Sequence, residues 1–184
     1  MKRTEMDILL ALNRLIAREE MEKITTEKIV KEAMISRATF YRYFKDKYDV
    51  LNRNYKELLD ERLRQCSGYR DLFYLLFLHA QEEWTDFHRA FSTTGVNSFE
   101  NYISSYSRSI VEKITRLNRD GQCLTPEEDL QLDVFCSGIS MMYKKWTLGQ
   151  YAISPAAAAD CLYAMMPESL KYDWLHLMSD DIAK

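Results

Sequence analysis

Glycine and proline are scarce in this chain: five and three in 184 residues. Glycine permits left-handed turns and proline interrupts helices, so a chain poor in both fits an all-helical protein with short connections. Strand patterns are missing as well, since nothing alternates with period two for long. Long apolar runs are absent. The longest, Leu72 to Leu78, falls far short of the roughly 20 residues that span a bilayer. The opening MKRTEMD carries both signs of charge and leads to no cleavage-like site, so no membrane contact and a cytosolic (cytoplasmic) location are expected. Cys66, Cys123, Cys136 and Cys161 are too widely spaced for a CxxC motif and are read as reduced thiols packing as small hydrophobes. His79, His88 and His176 are not spaced as metal ligands, and HExxH, GxSxG and a Gly-rich phosphate loop are all lacking. The chain is therefore not expected to be an enzyme, and no cofactor or metal is expected.

Charge is present but uneven. Residues 1–56 hold 13 Lys+Arg against 9 Asp+Glu, a balance of +4; residues 57–184 hold 12 against 19, a balance of −7. A basic head on an acidic body suits a protein that docks on nucleic acid at one end. The head begins with a helix over about Thr4 to Glu22, where Ile8, Leu9, Leu12, Leu15 and Ile16 form one apolar stripe. Lys2 and Arg3 precede it.

Residues 25–51, TTEKIVKEAMISRATFYRYFKDKYDVL, organise the rest. Thr25 or Thr26 can cap a first helix, closed at Ala33-Met34-Ile35; Ser36 can cap a second, Arg37 to Phe44; Asp46 can cap a third from Lys47. Phe40 and Phe44 share an inward face, and Arg37, Thr39, Tyr41 and Arg42 are left outside with Tyr43 at the flank. An ordinary surface helix would carry Glu, Gln and Lys there, yet no acid occurs from Arg37 to Lys45. Arg and Thr can read base edges in a major groove, while Ser, Tyr and Lys suit phosphate. This is helix-turn-helix patterning.

Thr26, Ser36, Thr39, Phe40, Tyr41, Tyr43, Phe44 and Lys47 together resemble the DNA-binding signature of the TetR/AcrR family of bacterial transcriptional regulators. The resemblance covers roughly residues 5–55 and departs from the usual pattern at Met34, where the family has a turn glycine. It implies an all-α fold with an N-terminal three-helix DNA-binding domain, residues 1–47, and a larger ligand-binding and dimerisation domain, residues 48–184. DNA contacts are then expected from Thr26, Ser36, Arg37, Ala38, Thr39, Tyr41, Arg42, Tyr43 and Lys47. The implied partners are a palindromic double-stranded operator, a second copy of the chain, and a small-molecule effector that releases a repressor.

In the body, helical patterns run over about Lys47 to Arg64, Arg70 to Phe91, Asn97 to Asn118, Thr125 to Leu148 and Ser154 to Met166, with a short one over Tyr172 to Ser179. Thr125-Pro126 and Ser154-Pro155 both pair a cap with a helix-starting proline. Trp84, Phe87, Tyr102, Tyr106, Met142 and Trp146 are candidate effector contacts, against an ordinary aromatic core. The helices near Asp133 to Leu148 and Pro155 to Met166 are candidates for dimerisation, with Ile139 and Leu162 at or near the interface. The alternative reading is an interaction module or co-activator whose body takes a partner protein.

Overall fold

The computed structural model describes residues 2–83, 88–91 and 99–172. Among these residues all regular structure is helical. The helices are α1 (Arg3–Ile16), α2 (Thr26–Glu32), α3 (Arg37–Tyr41), α4 (Lys47–Leu63), α5 (Tyr69–Glu82), α6 (Phe99–Asn118), α7 (Pro126–Thr147) and α8 (Pro155–Met165), with 3-10 turns at Met21–Lys23 and Glu168–Leu170. No helix among them is long and apolar enough to cross a membrane.

The chain divides into two compact units. The first holds Met1–Glu57 and Glu83–Phe99, the second Leu58–Glu82 and Glu100–Lys184. The sequence places the boundary at the start of α4, between residues 47 and 48; by compactness the division lies ten residues further on, within α4.

In the first unit the predicted α1 stripe is buried in full: Ile8 and Leu12 are inaccessible, and Leu9, Leu15 and Ile16 nearly so. They close on Met21, Ile24, Ile29, Phe40 and Val50, each fully buried. A fully buried side chain of this size contributes about 1.5–3 kcal/mol, so this cluster holds the head together. Helix α1 stops at Ile16 rather than near Glu22. The Arg18 N–H bonds back to Leu15 O at 2.9 Å, tightening the turn, and the chain re-enters the core through Met21. Arg14 of α1 pairs with Glu32 of α2 at 2.7 Å, and Lys28 of α2 pairs with Glu19, in the connection after α1, at 2.5 Å. Phe91 and Phe99 also belong to this unit; their rings lie 5.0 Å apart, with Phe99 edge-on to Tyr55 at 5.3 Å.

In the second unit α5 packs mainly on α8 and also on α7. Phe77 meets Tyr143 and Trp146 at 5.3 and 5.0 Å, and Trp146 Nε1 donates to Ile153 O at 2.9 Å. Thr125 and Glu128 form a reciprocal capping box at the start of α7. Arg119 then grips both Glu128 oxygens at 2.8 and 2.6 Å and also donates to Tyr172 Oη at 2.5 Å. Ile139 and Leu162 are buried within this unit, so they are core residues rather than free interface positions. All four cysteines are free, but only Cys136 packs as a buried hydrophobe; Cys123 and Cys161 are exposed. Burial pushes the Cys136 and Cys66 thiols up to about 12.

Candidate nucleic-acid interface

Three local devices set the geometry of α2, α3 and the start of α4. Thr25, not Thr26, is the N-cap of α2, its hydroxyl accepting from the Lys28 N–H at 3.3 Å. Thr26 takes the first helical position and stays half-buried. Helix α2 then ends in a Schellman turn: the Ile35 N–H bonds Val30 O at 3.1 Å and the Met34 N–H bonds Lys31 O at 3.2 Å. That turn needs a left-handed residue, and Met34 supplies it at φ 53° with its side chain 91% exposed. The departure at Met34 therefore changes the residue and keeps the turn. At the start of α4, Asp46 Oδ1 accepts from the Tyr48 and Asp49 N–H groups at 2.8 and 2.9 Å.

Helix α3 is shorter than its sequence pattern. Its α-helical part ends at Tyr41, because the Tyr43 N–H bonds Phe40 O at 2.9 Å and closes a tighter turn. Phe40 and Phe44 still point inward, both buried, with ring centroids 6.0 Å apart. Ser36 caps the helix, its Oγ accepting from the Thr39 N–H at 3.0 Å and lying 2.9 Å from Thr39 Oγ1. Arg37, Ala38, Tyr41 and Arg42 are exposed, while Thr39 and Tyr43 are half-buried. Arg42 Nη2 reaches Thr39 Oγ1 at 3.4 Å, and its guanidinium lies 5.9 Å from the Tyr43 ring centroid. Lys2 Nζ approaches the same ring at 5.9 Å, and Lys2, Glu5, Arg42 and Tyr43 line one shallow cleft. The structure thus brings Lys2 beside Arg42 and Tyr43, just past the end of α3.

Lys47 departs from the phosphate-holding expectation. Its ammonium donates to Met21 O, Glu22 O and Ile24 O at 2.7, 3.1 and 2.8 Å, which occupies all three of its donors. Desolvation holds its pKa below the ordinary lysine value, against the opposing pull of Glu22 and Asp46. Lys47 pins the turn before α2 rather than facing outward. Glu27 is a contact the sequence reading missed: its Oε1 lies 3.1 Å from Arg37 Nη1.

Of the candidate effector residues, Trp84 and Phe87 lie outside the described residues. Tyr102 and Tyr106 stack at 5.7 Å with their rings nearly parallel. Tyr106 Oη donates to Asp60 Oδ1 at 2.5 Å, and Asp60 is itself buried. Trp146 belongs to the α5–α7 aromatic core, and Met142 is half-buried. A second groove, edged by Glu112, Lys113, Arg116 and Asp120, is open and charged, unlike the enclosed apolar pocket expected of an effector site.

Residues 8–53 match the family model of bacterial regulatory proteins, tetR family. No curated protein matches the sequence significantly. Among solved structures, a TetR transcriptional regulator from Rhodococcus sp. RHA1 is similar with TM-score 0.62 at 16% identity, covering 92% of this chain and 97% of that one. The dihydroxyacetone kinase operon activator DhaS is similar at 0.60 and 17%, covering 89% and 96%. The fatty acid degradation regulator FadR from Bacillus halodurans follows at 0.55 and 14%, covering 90% and 95%. At such identities these neighbours speak for the fold along the chain, while the matched head speaks for its chemistry. Residues 8–53 accordingly match the DNA-binding head of bacterial regulatory proteins of the tetR family, and the chain as a whole is similar in its all-α fold to solved regulators.

Proposed function

We propose that the protein binds a palindromic operator as a homodimer and represses transcription until a small-molecule effector releases it. The observation that carries the DNA half of this reading is the outer face of α3, where Arg37, Ala38, Tyr41 and Arg42 are exposed on a helix held from behind by Phe40 and Phe44. In this reading Arg37 and Thr39 meet base edges. Thr26, Ser36, Tyr41, Arg42 and Tyr43 hold the backbone, and Ala38 packs at the groove wall.

Dimerisation is supported by a second exposed face. On α7, Leu130, Val134, Ser137 and Met141 follow heptad spacing and are all exposed, Leu130 and Val134 by about two thirds. A side-chain carbon placed at Gly138 would meet nothing within 4 Å. On α8, Cys161, Ala164 and Met165 are exposed likewise. Two such helices per protomer would form a four-helix interface. For the effector, the stacked Tyr102–Tyr106 pair beside Asp60, with Met142, is the site this reading offers.

The experiment is a binding titration of Arg37→Ala on a selected operator and on random duplex. A loss of about 1–3 kcal/mol confined to the operator, with relaxed preference at one base pair, is the expected result. Equal losses on both duplexes would remove base reading from Arg37.

A further inference from the structure

The reading helix carries no acid of its own, yet one reaches it from α2. Glu27, in the first turn of α2, sets Oε1 3.1 Å from Nη1 of Arg37, the first residue of α3. Both side chains are more than half exposed. An ion pair so open to water contributes little to stability, so the fold does not account for it. On a DNA-facing surface it is also costly to binding, because a carboxylate near phosphate repels it. The carboxyl is held below its ordinary pKa, first by its own backbone N–H, then by the Thr25 hydroxyl, with Arg37 a smaller influence. It is therefore an anion wherever the protein would handle DNA.

A guanidinium is a flat fork of five donors on a flexible stem. Left free, it can fall on any nearby phosphate. The contact with Glu27 engages Nη1 and leaves the rest of the fork to present parallel donors to a guanine edge.

We propose that Glu27 is a positioning residue for base readout, orienting the Arg37 guanidinium toward a base and disfavouring its capture by phosphate. Glu27 then lowers affinity for DNA in general and raises discrimination at the base pair that Arg37 reads. The inference rests on Arg37 being a base-reading residue.

The test uses the full chain with Glu27→Gln, Arg37→Ala and the double variant. Each is titrated against the selected operator, operators with single base-pair changes, and random duplex. Both positions are exposed, so melting temperatures should stay near that of the wild type. Glu27→Gln is expected to bind random duplex several-fold tighter and to lose roughly five- to tenfold of its discrimination at one base pair. In the Arg37→Ala background the same change should raise all affinities alike and leave discrimination untouched. If Glu27→Gln shifts operator and random duplex by one factor while Arg37→Ala relaxes a base pair, the positioning role is overturned and the base-reading role stands. An unchanged discrimination profile for Arg37→Ala overturns both.

Discussion

Met34 shows how one residue can be right for a fold and still strained in it. The same Schellman closure ends α7, where the Gln150 N–H bonds Lys145 O at 2.9 Å and Gly149 takes the left-handed position at φ 73°. Asp120 takes it after α6 at φ 51°. Glycine adopts that region freely, and asparagine or aspartate tolerates it, whereas methionine pays a steric penalty. Met34→Gly should therefore raise stability by about 1 kcal/mol, read as a urea midpoint shift with unchanged slope. A neutral or destabilising result would mean the exposed Met34 side chain makes a contact worth as much as the strain. Lys47 gives the second residue-scale prediction. Removing an ammonium that satisfies three carbonyls should cost about 1–3 kcal/mol of stability. In Lys47→Ala the salt dependence of DNA binding should remain that of the wild type, since the donors already face the turn. A flattened salt slope at unchanged stability would return Lys47 to the phosphates.

At the scale of elements, periodicity located α1 to α8 but missed ends and neighbours: the helix expected over Arg70 to Phe91 is described only as α5, Tyr69–Glu82, and the one expected over Tyr172 to Ser179 lies almost wholly outside the described residues. The α1 stripe was legible because helical spacing fixes which residues share a face; the stop at Ile16 was not, because a later residue, Met21, draws the chain inward. Helix α3 looked longer than it is because Phe44 lies four residues beyond Phe40, and burial alone does not distinguish an α-turn from a tightened one. The body misled in a related way. Ile139 and Leu162 are as apolar as interface residues, but they face their own core; the residues left open are Leu130, Val134 and Met141, one heptad face round on α7. Val134→Glu should raise the dimer dissociation constant on the order of tenfold or more while the monomer stays folded. Ile139→Glu should unfold the body instead, a contrast that sedimentation and circular dichroism would resolve. The Arg119–Glu128 pair adds a pH signature. Arg119 first, then the Thr125 N–H, holds the Glu128 carboxyl down to about 2 against an ordinary 4.5. A depressed acid stabilises the fold above its unfolded value and loses that contribution as pH falls towards its folded value. The stability gap between wild type and Glu128→Gln should be full near about pH 6 and vanish by about pH 2.

At the scale of the whole molecule, the sequence separates a basic head of +4 from an acidic body of −7, and the family match covers the head alone. The head's family likeness was legible because residues 8–53 hold particular residue types in a fixed order. The body's chemistry was not: Asp60 reads as one more helix acid until Tyr106 is found bonded to it. Effector control requires two global states with different ligand affinity, typically separated by about 1–3 kcal/mol of coupling. Linkage then demands that operator DNA weaken effector binding by the factor by which effector weakens DNA binding; equal effector affinities with and without operator would rule that control out. The central claim, a dimer placing two α3 helices in successive major grooves, is tested most directly by selecting bound sites from random duplex DNA. The account predicts an inverted repeat whose half-sites lie about 10 base pairs apart, roughly 34–36 Å, or a multiple of it. Recovery of a single unrepeated site, or of no enriched sequence at all, would contradict it.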